Sequence, residues 1–453
     1  MTDWTNKASF YHIYPLGALG APQRNDFSSA PVNRLGQIQG WLDHIQSLGA
    51  NALYLGPLFE ATAHGYDTAN YYEVDRRLGT RADLRSLSQA LHQRGMRLIL
   101  DGVFNHVGRD FWAFKDLQDK REHSAYRDWF VNLRFDRQNQ HGDHFTYEGW
   151  NGHTSLVKLN LENSAVREHL FNAMRMWVDE FEIDGLRLDA ADALSFSFLK
   201  ALRAFCHDLK EDFWLMGEVI HGDYRQWVNP EMLHSVTNYQ LYKGLYSSHN
   251  DKNYFELAYG LKHQFGSGGV LEGTQLYNFV DNHDVNRIAS QLSNPAHLFP
   301  LHLLLFTIPG VPSIYYGSEF GIPGMRTQWD DHPLRPYFDL SGLQAHNPQP
   351  DLKHAIAHLA ELRAASPCLQ HGNYAELLVA PQQLAFSRSD GSQSMVVVVN
   401  SDNEARTVEI KLPGVADAEL SDMLNPGEHF SVRNGSLNVA VPACWGRILS
   451  VTK

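Results

Sequence analysis

Four short strings end in clustered charge: Asp101-Gly102-Val103-Phe104-Asn105-His106, Gly185-Leu186-Arg187-Leu188-Asp189, Gly217-Glu218 and Val280-Asp281-Asn282-His283-Asp284. Each closes an apolar run. Charge placed directly after a buried strand is costly unless it is paired or put to use. Brought to one mouth, the carboxylates Asp189, Glu218 and Asp284 suit glycoside cleavage. A retaining mechanism needs one ionised carboxylate as nucleophile and a second, about 5–5.5 Å away, as acid and then base. Arg187, two residues before Asp189, shares its strand face. Its fixed charge is expected to hold Asp189 ionised. A neighbouring carboxylate is expected to raise the pKa of Glu218 and keep its proton for the leaving group. Singly, an Asp after a strand reads as a helix cap and Asn-His-Asp as a turn. The weight lies in their joint occurrence at ordered strand ends.

The elements that must position these residues follow from periodicity. Strand-like runs start near Phe10, Ala52, Arg97, Gly185, Phe213, Ser235, Tyr277 and Ser313. Helical spacing fills the gaps, as in Leu35 to Leu48, Ala165 to Phe181 and Phe196 to Leu209. Thr80 and Asp83 form a capping box before Leu84, Leu87 and Leu91. Eight strands alternating with helices predict an α/β fold, a (β/α)8 TIM barrel with its site at the strands' C-terminal ends. A doubly wound open sheet competes, but no G-x-G-x-x-G turn follows the first strand. The rhythm breaks over residues 107–160, rich in Asp, His, Asn and aromatics, which predicts an inserted subdomain after strand 3. Barrel segments 1–106 and 161–372 flank it. Residues 373–453 hold short strands separated by Asp390-Gly391, Asn425-Pro426-Gly427 and Asn434-Gly435, which predicts a C-terminal antiparallel β-sandwich domain.

Composition narrows the class. The chain of 453 residues carries a formal net charge of −13, so a phosphate backbone is not an expected partner. No uninterrupted apolar stretch of about 18 residues occurs, so no membrane span is expected. Residues 1–10 lack a signal-peptide pattern, and the three cysteines are far apart with no C-x-x-C. A cytoplasmic location is expected.

In order and in kind, D-G-V-F-N-H, G-L-R-L-D-A-A, G-E-V and F-V-D-N-H-D resemble the four signature regions of the α-amylase family of glycoside hydrolases (family 13). The resemblance spans nearly the whole chain. It implies Asp189 as nucleophile, Glu218 as acid/base and Asp284 as transition-state stabiliser. It implies that Arg187, His106 and His283 line the subsite of the cleaved sugar, with Asp101 supporting Arg187. Tyr66, in H-G-Y-D, resembles the aromatic platform beneath that sugar. Asp331 and Arg335, in D-H-P-L-R, resemble the family's late Asp/Arg pair, a further substrate-binding element.

Lys158-Leu159-Asn160 is similar to the form found in the neopullulanase and cyclomaltodextrinase branch. Ala63 stands where exo-acting α-glucosidases carry a pocket-closing Asp, which implies an open cleft. The expected activity is hydrolysis of α-1,4-glucosidic bonds in maltooligosaccharides, cyclodextrins or related α-glucans. A transglycosylase or sugar isomerase on the same scaffold (a glucanotransferase, or a trehalose-forming enzyme) is the alternative. No cofactor is expected to be required. Asp192-Ala193 replaces a Lys-His that helps hold calcium in many secreted relatives, leaving Asn105 as a candidate oxygen ligand should calcium bind. Oligomeric state is left open.

Overall fold

Eight short strands lie where the apolar runs begin: β1 (Phe10–Ile13), β2 (Ala52–Leu55), β3 (Arg97–Gly102), β4 (Gly185–Leu188), β5 (Trp214–Gly217), β6 (Ser235–Val236), β7 (Tyr277–Phe279) and β8 (Val311–Tyr315). They belong to a computed structural model that describes residues 3–328 and 330–451. All pairings are parallel, in the order β6-β5-β4-β3-β2-β1-β8-β7. A parallel bridge between Thr237 and Tyr277 joins the two ends, so the sheet closes into a barrel. Strands covered on both faces read as unbroken apolar runs, which is why their starts are legible. Phe10, Tyr54, Ile99, Trp214, Met216 and Tyr277 fill the interior, with Phe10 stacked on Trp214 at 5.2 Å.

The outer helices include α1 (Arg81–His92), α2 (Ser164–Phe181), α3 (Phe196–Leu209), α4 (Tyr239–Asn250), α5 (Tyr254–Phe265), α6 (Leu298–Thr307) and α7 (Leu352–Ala365). The Thr80–Asp83 capping box opens α1, and Asn163, Ser195 and Asn238 side chains cap α2, α3 and α4. The single helix expected over Leu35 to Leu48 is instead two short ones, Gly36–Gln39 and Leu42–Ser47, parted at Gly40-Trp41. Among the described residues no helix is long and apolar enough to cross a membrane.

Between β3 and β4 the chain forms a three-stranded antiparallel sheet of His106–Gly108, His153–Lys158 and Gly149–Trp150, and a helix, Trp112–Lys120. Its aromatics pack together as an extension of the barrel core: Phe114 meets the edges of Phe130, Phe145 and Tyr147 at 5.0–5.9 Å. A small antiparallel pair, Phe59–Ala61 with Thr68–Val74, follows β2.

The C-terminal strands are β9 (Asn373–Val379), β10 (Gln383–Ser389), β11 (Ser394–Asn400), β12 (Arg406–Lys411), β13 (Ala418–Asp422), β14 (His429–Arg433), β15 (Ser436–Val441) and β16 (Trp445–Val451). They form one antiparallel sheet, ordered β9-β10-β11-β16-β13-β14-β15-β12. The two layers of the expected sandwich are therefore one continuous sheet that curls on itself. Val396, Val398, Ile410, Leu420, Val439 and Leu449 form its inner core. From the opposite face Phe386, Val397, Val399 and Ile448 join the barrel core beside α6. Arg388 on β10 is fully buried there and donates to the Thr307 carbonyl at the C-terminal end of α6, at 2.6 Å.

Candidate active site

Strand register assembles the centre. Arg187 on β4 pairs with Asp101 on β3 and with Met216 on β5. Two residues beyond Arg187 and Met216, on the same face, come Asp189 and Glu218. Backbone bonds continue the register past the strand ends: Asp189 N–H to Gly102 O at 3.1 Å and Glu218 N–H to Leu188 O at 2.9 Å. The buried Arg187 guanidinium faces all three carboxylates. Nη1 donates to Asp101 Oδ1 at 2.9 Å and Asp189 Oδ1 at 3.0 Å, and Nη2 lies 2.8 Å from Glu218 Oε2. The Ala190 N–H adds a bond to Glu218 Oε2 at 3.1 Å. Ala190 is held in the left-handed region (φ 45), a strained conformation for a residue with a Cβ.

Electrostatics separate the carboxylates. Burial, with the charge of Asp284, pushes Glu218 above the usual carboxylate range against the pull of Arg187. Burial and the charges of Glu218, Asp101 and Asp284 push Asp189 upward as well, and outweigh Arg187. Arg187, expected to hold Asp189 ionised, does pull it down, but burial and the neighbouring carboxylates pull the other way. The two groups titrate as a pair and hold a proton to higher pH than isolated carboxyls would. Asp284 differs: against the cost of burial, His283, Arg335 and Arg187 hold it well below the usual range.

The β7 loop supplies this third carboxylate. Asp284 Oδ2 lies 2.9 Å from His283 Nε2, and Oδ1 accepts from Arg335 Nη2 at 2.7 Å. Arg335 Nε also donates to the His283 carbonyl at 2.9 Å, and Nη2 lies 3.4 Å from Asp331 Oδ2. Asp331 receives a second cation, Arg326, at 2.7 Å. A Cβ on Gly17 would collide with the Arg335 carbonyl oxygen, so this close approach of two loops requires glycine. Tyr66 donates from its hydroxyl to Asp101 Oδ2 at 3.2 Å and also contacts His283 Nε2. Its ring lies parallel to His283 at 5.6 Å, and the Arg187 Cζ is 5.8 Å from its centroid. Burial pushes His106 down to about 3, so it is neutral, with Nε2 3.8 Å from Asp189 Oδ2.

All the candidate residues thus converge on one mouth, with Asp331 farthest out. It opens into a cleft of about 1630 Å³ lined by Ala63, Trp150, Lys158, Ile220 and Tyr337 among others. Three lining residues carry no motif and are not among the expected site residues. Tyr14 stacks on His283 at 5.6 Å and lies under the Arg335 guanidinium at 4.7 Å. Trp150 packs on His106 at 5.5 Å. The Tyr239 hydroxyl reaches Glu218 Oε1 at 3.4 Å. Tyr14 closes the aromatic run after β1, a signal that was legible; Tyr239 opens α4 and had none. Asn105 lies beside the site, its Nδ2 donating to His106 Nδ1 at 3.1 Å. Among the described residues no group of three or more His, Cys, Asp or Glu side chains is arranged to hold a metal ion.

Comparison with known proteins agrees with this geometry. The model of the α-amylase catalytic domain matches residues 25–336. A cyclomaltodextrinase from a Bacillus species is 32% identical over 435 residues, covering 89% of this chain and 74% of that protein. The ligand-free cyclic α-maltosyl-(1→6)-maltose hydrolase of Arthrobacter globiformis superposes with a TM-score of 0.83 at 27% identity, covering 99% of this chain and 100% of that one. The debranching enzyme of Nostoc punctiforme, soaked with acarbose, gives 0.80 at 27% identity, with 99% of each chain covered. The chain belongs to the α-amylase family of glycoside hydrolases.

Proposed function

We propose that this enzyme hydrolyses α-1,4-glucosidic bonds in maltooligosaccharides, cyclodextrins or related α-glucans with retention of anomeric configuration. The observation that carries the reading is the single Arg187 fork holding Asp189 and Glu218 side by side, at 3.0 and 2.8 Å. A planar guanidinium fits two carboxylates at the short separation a retaining pair needs. The pair's one proton lies on Glu218, which protonates the glycosidic oxygen while the ionised Asp189, bonded to Arg187 Nη1, attacks C1. The C1–O bond to the leaving sugar breaks and a C1–carboxylate bond forms. Glu218, now ionised, takes a proton from water, which attacks C1 and frees Asp189. Asp284, ionised throughout, grips ring hydroxyls, and its charge favours the oxocarbenium-like transition state. Tyr66 supplies a flat ring under the pyranose, and Arg335 and Asp331 extend the contact outward. These steps draw on side chains alone.

A second reading extends the substrates to α-1,6 branch points. It is favoured by the full-length match to two enzymes named for a 1→6-linked maltose ring and for debranching. Interception of the glycosyl-enzyme by a sugar in place of water is the transfer alternative, and added acceptor separates the two. Three free cysteines, two of them buried, support a cytoplasmic location.

Proton NMR of maltoheptaose and β-cyclodextrin cleavage tests the reading. Initial release of the α-anomer from both is the expected result. Initial β-anomer rules out retention. Redistribution of chain lengths without net hydrolysis assigns the enzyme to transfer.

A further inference from the structure

Two buried or nearly buried arginines reach across the same seam in opposite directions. Arg335 comes from the loop after β8 and donates into the β7 loop, to His283 O and Asp284 Oδ1. Arg287 comes from the β7 loop, three residues after Asp284, and is fully buried. It donates into the β8 side, from Nη1 to Tyr316 O at 2.8 Å and from Nη2 to Leu334 O at 3.1 Å. Its backbone N–H bonds Gly324 O at 2.9 Å.

No carboxylate lies within ion-pair distance of Arg287 among the described residues. Three aromatic rings take that place: Tyr315 at 4.7 Å, Tyr316 at 5.0 Å and Phe338 at 5.5 Å from its Cζ. A buried guanidinium is costly, and cation–π contacts, two carbonyls and the field of buried Asp281 compensate it here. The Leu334 carbonyl also accepts from the Tyr315 hydroxyl at 3.0 Å, so the backbone one residue before Arg335 is held by two donors. Gly317 (φ +87) makes room, since a Cβ there would lie 2.9 Å from Phe338 and 3.3 Å from Arg287 Nη1.

We propose that Arg287 is a positioning residue for Asp284: by clamping Tyr316 O and Leu334 O it sets the reach of Arg335, and Arg335 in turn orients the Asp284 carboxylate. This rests on the role given to Asp284 above. Arg287 touches no sugar in this scheme and acts only through its reciprocal partner. A displacement of about 1 Å at such a remove can cost on the order of 100-fold in rate.

The test is a double-mutant cycle on full-length enzyme with maltoheptaose: wild type, Arg287→Met, Arg335→Ala and the double variant, with folding checked by near-ultraviolet circular dichroism. Arg287→Met is expected to lower kcat/KM by about 100-fold, mostly in kcat. The double variant is expected to fall no more than about threefold below Arg335→Ala alone. A folded Arg287→Met within threefold of wild type overturns the proposal. So does a double variant whose losses multiply, since that denotes independent roles. If Arg287→Met does not fold, Arg287→Lys carries the same cycle. Its ammonium keeps the charge among the rings but loses the two-pronged fork. A loss of about tenfold that disappears in the Arg335→Ala background is then expected, and a multiplicative loss overturns the proposal. Wild type inert on both maltoheptaose and β-cyclodextrin would refute the functional reading instead, so the two failures are distinct.

Discussion

Arg187 and Asp189 sit two residues apart on the β4 run, and Nη1 of the first donates to Oδ1 of the second at 3.0 Å. The same guanidinium meets Glu218 and Asp101, so one cation organises three carboxylates. The β3–β4–β5 register makes this arrangement unavoidable once the barrel closes. It also explains why the centre holds more negative charge than Arg187 neutralises, and why a proton stays on the Asp189–Glu218 pair.

Removal of either member should stop turnover in different ways. Asp189→Asn is expected to lower kcat/KM on maltoheptaose by about 10⁴-fold or more, with any substrate. Glu218→Gln should lose as much on maltoheptaose, but far less on α-maltosyl fluoride, whose leaving group needs no proton. Equal losses on both substrates would remove Glu218 from the acid role.

The pH profile of kcat/KM should carry the sign of these environments. Glu218 must be protonated for the first step, so its raised pKa places the basic limb above the ordinary carboxylate range. The charge of Asp284 contributes to that elevation. Asp284→Asn is therefore expected to shift the basic limb of the residual activity to lower pH. An unmoved or upward-shifted limb contradicts the assignment.

Stability should run opposite to activity at Glu218 and with it at Asp284. Between the ordinary carboxylate pKa and the raised one of Glu218, the folded chain binds more protons than the unfolded chain, so stability falls as pH rises through that window. Glu218→Gln should raise Tm at neutral pH by about 2 °C, with the gain vanishing in acid. Asp284 is held low, so its contribution is present above the unfolded value and is lost as pH falls through the folded one. Asp284→Asn should lower Tm at neutral pH. Scanning calorimetry across pH distinguishes the two.

Arg187→Lys tests whether charge or geometry matters. An ammonium keeps one positive charge but cannot bridge Asp101, Asp189 and Glu218 as a fork does. A loss of about 10²–10³-fold in kcat/KM is expected, together with destabilisation of roughly 3–5 kcal/mol from carboxylates left underpaired. Near-wild-type kinetics in a folded Arg187→Lys would show that the charge alone suffices.

Much of this was legible in the sequence for a physical reason. Parallel barrel strands are covered on both faces, so their starts stand out as apolar runs, and the polar residues ending β3, β4, β5 and β7 mark the open mouth. Weakly patterned pieces were not legible. The Phe59–Ala61 and Thr68–Val74 pair has irregular register, and β13 and β14 alternate with Glu, Ser, His and Arg on exposed positions. Trp150 and Tyr239 join the site through contacts far apart in sequence, which no local period encodes. The upward push on Asp189 was not legible for a related reason. A spacing of two identifies Arg187 as its neighbour, whereas burial and the opposing charges arrive with the packing of β3, β5 and β7.

The central claim is a covalent bond between the sugar and Asp189. The most direct measurement is peptide mass spectrometry of enzyme inactivated with 5-fluoro-α-maltosyl fluoride, a substrate that forms the glycosyl-enzyme faster than it hydrolyses. The account predicts one maltosyl-sized mass increment on the peptide carrying Asp189, absent from Asp189→Asn. A label on Glu218 or Asp284 in an active enzyme, or turnover with no covalent adduct and initial β-anomer, would contradict it.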